Sequence, residues 1–153
     1  MNIRPVTDAD CAWFWRLAME PSVRENSVRS EYFDYDQHRE WWALRTSEPT
    51  TRIYIGEVNG QPIGHVRFGL VDGTHDAEIA ISVEPESRVR GYATEMLRLG
   101  EPVAQASLGV ERFVALVLHK NIASHRLFER SGYLVAGVEA RMERLCYRFV
   151  KDV

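Results

Sequence analysis

Residues 87–96 read Ser-Arg-Val-Arg-Gly-Tyr-Ala-Thr-Glu-Met and combine residue types that can hold an anion. Arg88 and Arg90 supply charge-assisted donors, and the planar guanidinium suits phosphate oxygens. Gly91 has no Cβ, so the chain there can take positive φ and let a ligand oxygen approach the backbone. Ala93 keeps the entrance to the following helix small. The first turn of a helix has unpaired N–H groups and a partial positive charge. The main-chain amides of Arg88, Val89, Arg90, Gly91, Tyr92, Ala93 and Thr94 are therefore expected to form a cradle for phosphate. Neither a Gly-Lys-Ser/Thr triplet nor a Gly-x-Gly-x-x-Gly run is present, which removes the Mg-nucleotide loop and the dinucleotide fingerprint. The ligand expected on this reading is a pyrophosphate held without metal. The plain alternative is a loop with solvated arginines ahead of a surface helix.

Such a loop works only if a strand delivers it and a helix follows. Ala77 to Val83 alternates as a strand, with Ile79, Ile81 and Val83 on one face and Glu78, Ala80 and Ser82 on the other. After Pro85 and the basic loop, a helix is expected from about Tyr92 to Leu108, and Pro102 should kink or break it. Upstream, Asn2 to Val6 reads as a strand, and Thr7 and Asp8 can cap a helix running to about Met19. Pro21 restarts a helical turn through Asn26, and Asp34 caps a helix to about Thr46 in which Tyr35, His38 and Trp42 recur at helical spacing, with Trp41 beside them. Thr51 to Val58 and Pro62 to Val71 form a hairpin about Asn59-Gly60. Downstream, Arg112 to Leu118 fits a buried strand, and Asn121 to Arg130 a helix ended by Gly132. Tyr133 to Val138 and Glu143 to Val150 close the sheet as two strands. The order gives a mixed α/β domain that is neither a Rossmann fold nor a barrel.

A chain of 153 residues, 45% hydrophobic and 27% charged, fits one globular domain with one sizeable core. The net charge of −3 argues against broad nucleic-acid binding. No apolar run is long enough to cross a bilayer, and the N-terminus lacks a signal-peptide pattern, so a cytoplasmic protein without a membrane partner is expected. Cys11 and Cys146 lie far apart without metal-like spacing to histidine and read as reduced thiols; no metal site is expected.

With Arg88, Gly91 and Ala93 the loop has the form Arg-x-x-Gly-x-Ala between a strand and a helix, which resembles the acetyl-CoA-binding motif of the GNAT N-acetyltransferases. A second segment, from Asn121 through Ser124, Leu127, Phe128 and Glu129 to Gly132-Tyr133, resembles the Asn-x-x-Ser-x-x-Leu-Tyr/Phe-Glu-x-x-Gly-Phe/Tyr block of the same family. The two lie in the family's order, joined by one helix and one strand. The resemblance spans the elements from Ile3 to Phe149. It implies a single-domain GNAT fold over residues 1–153, with a mixed central sheet of about six or seven strands flanked by helices. Scattered residues in the N-terminal half narrow the likeness: Trp15-Arg16, Val23-Arg24, Asn26-Ser27, His38, Trp41-Trp42 and the run from Ile63 to Phe68. They look like the aminosugar-nucleotide acetyltransferases of the pseudaminic-acid pathway, and less closely like the acetyltransferases of ribosomal-protein N-termini.

The resemblance implies acetyl-CoA as acyl donor and the primary amine of a small molecule, an amino-sugar nucleotide, as acceptor. Glu78 falls where some members carry a catalytic glutamate and is the first candidate base; His65 is the second. Backbone groups of Ile81, Ser82 and Val83 would hold the pantetheine amides and the developing oxyanion. Asn121 and Ser124 would contact the cofactor. Phe128 stands where many members have a tyrosine that protonates the leaving thiolate, which puts the general acid in doubt. Arg24, Asn26, His38, Trp42 and Arg67 are the expected acceptor contacts, arginines for anionic groups and aromatics for a ring. Competing readings are acetylation of a protein N-terminus and a non-catalytic acyl-CoA-binding module. A homodimer remains open.

Overall fold

The computed structural model describes residues 1–153 as one seven-stranded sheet with helices on both faces. The strands are β1 (Asn2–Pro5), β2 (Thr51–Val58), β3 (Gln61–Leu70), β4 (Asp76–Val83), β5 (Arg112–Leu118), β6 (Leu134–Arg141) and β7 (Arg144–Asp152). They lie side by side in the order β1-β2-β3-β4-β5-β7-β6, antiparallel except for β4 beside β5. The helices are α1 (Cys11–Ala18), α2 (Pro21–Glu25), α3 (Tyr35–Ser47), α4 (Tyr92–Leu108) and α5 (Ile122–Arg130). No helix is long and apolar enough to cross a membrane.

Local chemistry explains most of these elements. Asn59 and Gly60 both have positive φ, 53° and 75°, the geometry of the tight turn that joins β2 to β3. Asp34 accepts the Gln37 N–H at 2.8 Å while the Gln37 side chain returns to the Asp34 N–H at 3.0 Å, a reciprocal cap that starts α3. The first helix begins later than its capping pattern suggests. Residues 8–10 form a tighter 3-10 turn, because the Asp10 carboxylate accepts the Thr7 N–H and is locked by Arg4 at 2.8 Å.

Pro102 does not break α4, contrary to expectation. The proline is exposed, and so is Arg98, whose carbonyl loses its helical N–H partner and can turn to water. The opposite face of the helix, Met96, Leu97, Gly100 and Ala104, is buried and holds it straight against the sheet.

Two cores result. The larger lies between α4, α5 and one sheet face and contains Val66, Phe68, Ile79, Met96, Phe113, Phe128 and Phe149. The smaller lies on the other face, under α1 and α3, and contains Cys11, Phe14, Trp42 and Ile53. Both cysteines are free and buried. The register sets the second face. Thr51, Gly69 and Glu78 stand abreast on β2, β3 and β4; the next row is Ile53, Arg67 and Ala80, and the row after it Ile55, His65 and Ser82.

Candidate active site

The site begins where the sheet comes apart. β4 pairs with β5 only at Asp76–Arg112, Ala77–Phe113 and Glu78–Val114. Beyond Glu78, β4 continues on β3 alone, and β5 continues to Leu118 on β7 alone. The outer edge of β4 from Ile79 to Val83 therefore faces no strand. A cavity of about 780 Å³ occupies the gap. Ile79, Ala80, Ile81 and Ser82 line one wall, and Leu116, Val117, Asn121, Ser124 and Phe128 line the other.

Past Val83 the chain makes a short 3-10 turn over Pro85–Ser87 and enters the basic loop. Val89 is fully exposed with φ 61°, and Gly91 caps α4 with φ 78°. None of the N–H groups of residues 89 to 94 donates to a protein acceptor, in the backbone or through a side-chain cap. A Cβ at Gly91 would meet nothing within 4 Å, so the left-handed φ, not crowding by protein, favours glycine here. This is a run of free amides at the positive end of a long helix. These residues do not line the cavity itself but follow directly from the strand that does.

The Arg88 side chain departs from expectation. Its Nε donates to the Val83 carbonyl at 3.0 Å and its Nη1 to Ser22 Oγ at 2.8 Å, so it fastens the end of β4 to α2. Arg90 is the arginine left exposed to a ligand. Tyr92 and Ala93 pack on the larger core, so their contribution is their amides.

On the opposite wall Asn121 caps α5, its Oδ1 accepting the Ser124 N–H at 3.3 Å. Phe128 is buried beneath against Tyr133 and Phe149 and has no proton to give. Tyr133 does not replace the missing tyrosine. Its hydroxyl donates to Glu101 Oε1 at 2.7 Å, and burial followed by the Glu101 charge pushes its pKa far up.

The other end of the cavity lies under α1 and α3. His65 stacks on Phe14 at 3.8 Å, and its Nδ1 is buried without a partner. Burial, followed by the Arg67 and His38 charges, pushes its pKa down to about 3. His65 lines the cavity, and a ring held neutral so firmly accepts a proton only weakly, which favours Glu78 over His65 for the base. His38 lines the cavity from α3, its pKa lowered by burial and its Nε2 also unpartnered.

Trp42 also departs from expectation. It is buried in the smaller core and donates its indole N–H to Asp8 Oδ1 at 3.2 Å, away from the cavity. Trp41 faces the cavity instead, since one residue along a helix turns the side chain by about 100°. Arg24 lines the cavity, but its guanidinium is already used. Nε donates to the Ala18 carbonyl at 2.6 Å and Nη1 to the Arg29 and Glu31 carbonyls at 2.9 and 3.2 Å, above Phe33. Asn26 likewise donates to the Ser22 carbonyl at 2.8 Å. Both shape the loop between α2 and α3.

Arg67 and Glu78 do face the cavity. The Glu78 carboxylate is half exposed and accepts from Arg141 Nη1 at 3.1 Å. Arg141 and Met142 come from the β6–β7 hairpin tip, which Arg144 ties to the loop after α2 through the carbonyls of Ser27 and Glu25. Sequence reasoning missed Phe14, Trp41, Arg45 and Arg141. The packing of α1 on the sheet, the helical phase of α3 and the reach of a distant hairpin bring them to the site.

A cleft with an unpaired strand edge on one wall, free amides at a helix entrance and a carboxylate at its inner end defines a group-transfer site for a long phosphorylated cosubstrate. Residues 13–133 match the acetyltransferase (GNAT) family, and the chain belongs to it: it is an acetyl-CoA-dependent N-acetyltransferase of the GNAT type. The residues fit that donor, since the amides of 89–94 suit its pyrophosphate and the open edge of β4 suits its pantetheine amides. Among solved structures, the fold is similar to a spermidine N-acetyltransferase from Vibrio cholerae in complex with CoA and spermine. That match has TM-score 0.88 and 16% identity over 99% of this chain and 94% of that one. It is also similar to a ribosomal-protein-alanine N-acetyltransferase from Brucella melitensis, with TM-score 0.81 and 19% identity over 100% of both chains. An aminoglycoside acetyltransferase in complex with coenzyme A and kanamycin matches with TM-score 0.84 and 17% identity over 99% of this chain and 94% of that one. None of the curated proteins matches this chain.

Proposed function

We propose that residues 1–153 act as one catalytic domain that acetylates the primary amine of a small anionic molecule, an amino-sugar nucleotide. The observation that supports this reading best is the continuity of the cleft: Glu78 stands where β4 leaves β5, and the free edge of β4 runs from there toward the loop of unpaired amides.

Acetyl-CoA supplies a thioester whose carbonyl carbon is open to attack by an amine. The chain's own residues do the rest. The Glu78 carboxylate takes the proton that the amine must shed, directly or through a water, because amines with pKa near ~8 to ~10 are mostly protonated at neutral pH. Backbone N–H groups at Ile81 to Val83 hold the carbonyl oxygen as negative charge develops, and fixed donors are effective there. Asn121 and Ser124 border the other wall. No side chain need protonate the departing thiolate, since a thiol with pKa near ~8.5 leaves tolerably unaided. Phe128 is consistent with that route.

Charge supports this choice of acceptor class. Arg29, Arg45, Arg67 and Arg141 line this end of the cavity against the single carboxylate of Glu78. Polycations such as the spermine and kanamycin bound by the similar structures would be repelled here. The test is thioester consumption with UDP-linked amino sugars, spermidine and a peptide with a free N-terminus. Faster turnover of the amino-sugar nucleotide supports the reading. Preference for spermidine or the peptide overturns its acceptor half, and no consumption with any amine overturns the whole.

A further inference from the structure

A second cavity, of about 330 Å³, lies beside the first and shares Arg45, Arg67, Glu78, Ile79 and Ala80 with it. Its remaining lining is largely polar and includes Glu48, Thr50, Thr51 and Asp72. It owes its space to Gly69. That residue stands between Thr51 and Glu78 across the sheet, and a Cβ built there would meet only Thr51 Oγ1, at 3.9 Å. Gly69 has no positive φ, so the backbone does not require glycine. The bare position keeps a compartment open.

Arg67 stands in the wall between the two cavities. Its guanidinium lies over the Trp41 ring at 5.4 Å and makes no hydrogen bond or ion pair within the protein, although it is half buried. The neighbouring Arg45 gives Nη1 to Glu48 at 2.6 Å, yet its Nε is buried with no partner. Both nearby carboxylates are engaged: Glu48 by Arg45 and Thr51, Glu78 by Arg141. Burial, and then the Arg45 charge, lowers the Arg67 pKa, and the charges of Glu78 and Glu48 offset this only in part. The Arg67 donors are reached by solvent and free to take a ligand oxygen, whereas the buried Arg45 Nε lacks any acceptor, a cost that a ligand oxygen would relieve.

We infer that Arg67, with Arg45 beside it, anchors an anionic group of the acceptor, a carboxylate or a phosphate, and that the compartment opened by Gly69 receives what lies beyond that group. The inference rests on the reading of the Glu78 cavity as the acceptor site. It divides the acceptor into an amine at Glu78, an anion at Arg67 and a polar extension toward Thr51.

The test is the preference ratio for matched amines at saturating acetyl-CoA. Glucosamine 6-phosphate is set against glucosamine for the phosphate source, and glycine against glycinamide for the carboxylate source. The charged member of at least one pair should have kcat/KM higher by about 10- to 100-fold, as expected for charge-assisted bonds to a partly buried guanidinium. Arg67→Ala should bring that ratio close to one, and Arg67→Lys should restore part of it. Gly69→Val, or the milder Gly69→Ala, should raise KM for glucosamine 6-phosphate more than for glycine. A preference in the sugar pair alone assigns the anion as phosphate, and in the glycine pair alone as carboxylate. Calorimetry of glucosamine 6-phosphate and of glycine on the CoA-saturated protein reads the anion site without turnover, so failure of catalysis and failure of this inference remain separate. Binding that Arg67→Ala abolishes supports the anchor. Equal ratios in the wild-type protein, an equal loss for both members of a pair in Arg67→Ala, or no heat with either anion overturns it.

Discussion

The two ends of the cleft are built from different material. The end proposed for the donor is main chain: the free edge of β4, the amides of residues 89–94 and a glycine with φ 78°. The end proposed for the acceptor is side chain: Phe14, His38, Trp41, His65 and Arg67 converge from α1, α3 and β3. A site made of backbone needs small residues in a fixed order, and most other side chains around it can vary. A site made of side chains needs particular residues, but they can come from anywhere in the chain. On the proposed reading, recognition of the common donor lies in the first half and choice of acceptor in the second.

The contrast can be broken or sharpened by measurement. The largest effect is expected on the side-chain half. Phe14→Ala should cost about 3–5 kcal/mol of stability in denaturant unfolding, because the ring supports His65, His38, Trp41 and Trp42 together. Next, Glu78→Gln should lower turnover by about 100-fold or more while acetyl-CoA affinity by calorimetry stays level. Unchanged turnover would remove Glu78 from the mechanism. Gly91→Val should weaken acetyl-CoA binding by about tenfold, since a β-branched residue resists positive φ there. A Gly91→Val protein with full affinity would deny the backbone its role.

The pH dependence of stability tests the buried histidines. His65 titrates near 6.5 when unfolded but only at about 3 in the native protein. As pH falls below 6.5 the unfolded chain takes a proton that the folded chain refuses. The stability contributed by the neutral ring is thus complete above pH 6.5 and is lost progressively down to about pH 3. The loss is up to about 1.4 kcal/mol per pH unit. His65→Asn should flatten that slope in unfolding curves at pH 7.5 and 5. The smallest effect belongs to Arg90. Its side chain is exposed, so Arg90→Ala should weaken donor binding by less than about fivefold, an effect reduced further by salt.

The same contrast explains what could be read from residue order. The basic loop, the strand before it and the helix after it were legible because Arg88, Gly91 and Ala93 are close in sequence and each follows from a local rule. Even there, local rules missed the fate of Arg88, whose partner Ser22 is distant in the chain. The acceptor end was legible only in fragments. Arg67, Glu78 and His65 do line the cavity, but Trp41 rather than Trp42 faces it, and Arg45 and Arg141 were overlooked.

Residue order by itself determined the α/β succession, the hairpin at Asn59-Gly60 and the basic loop at the entrance of α4, because turn geometry, periodicity and helix entry act within a few residues. Tertiary structure alone decided that β4 and β5 part after Glu78, that Gly69 leaves a second compartment and that Arg67 stands beside it without a partner. Those features depend on strand register and on which helix face meets the sheet. They arise between segments far apart in the chain, where burial and electrostatics are set by packing rather than by neighbours in sequence.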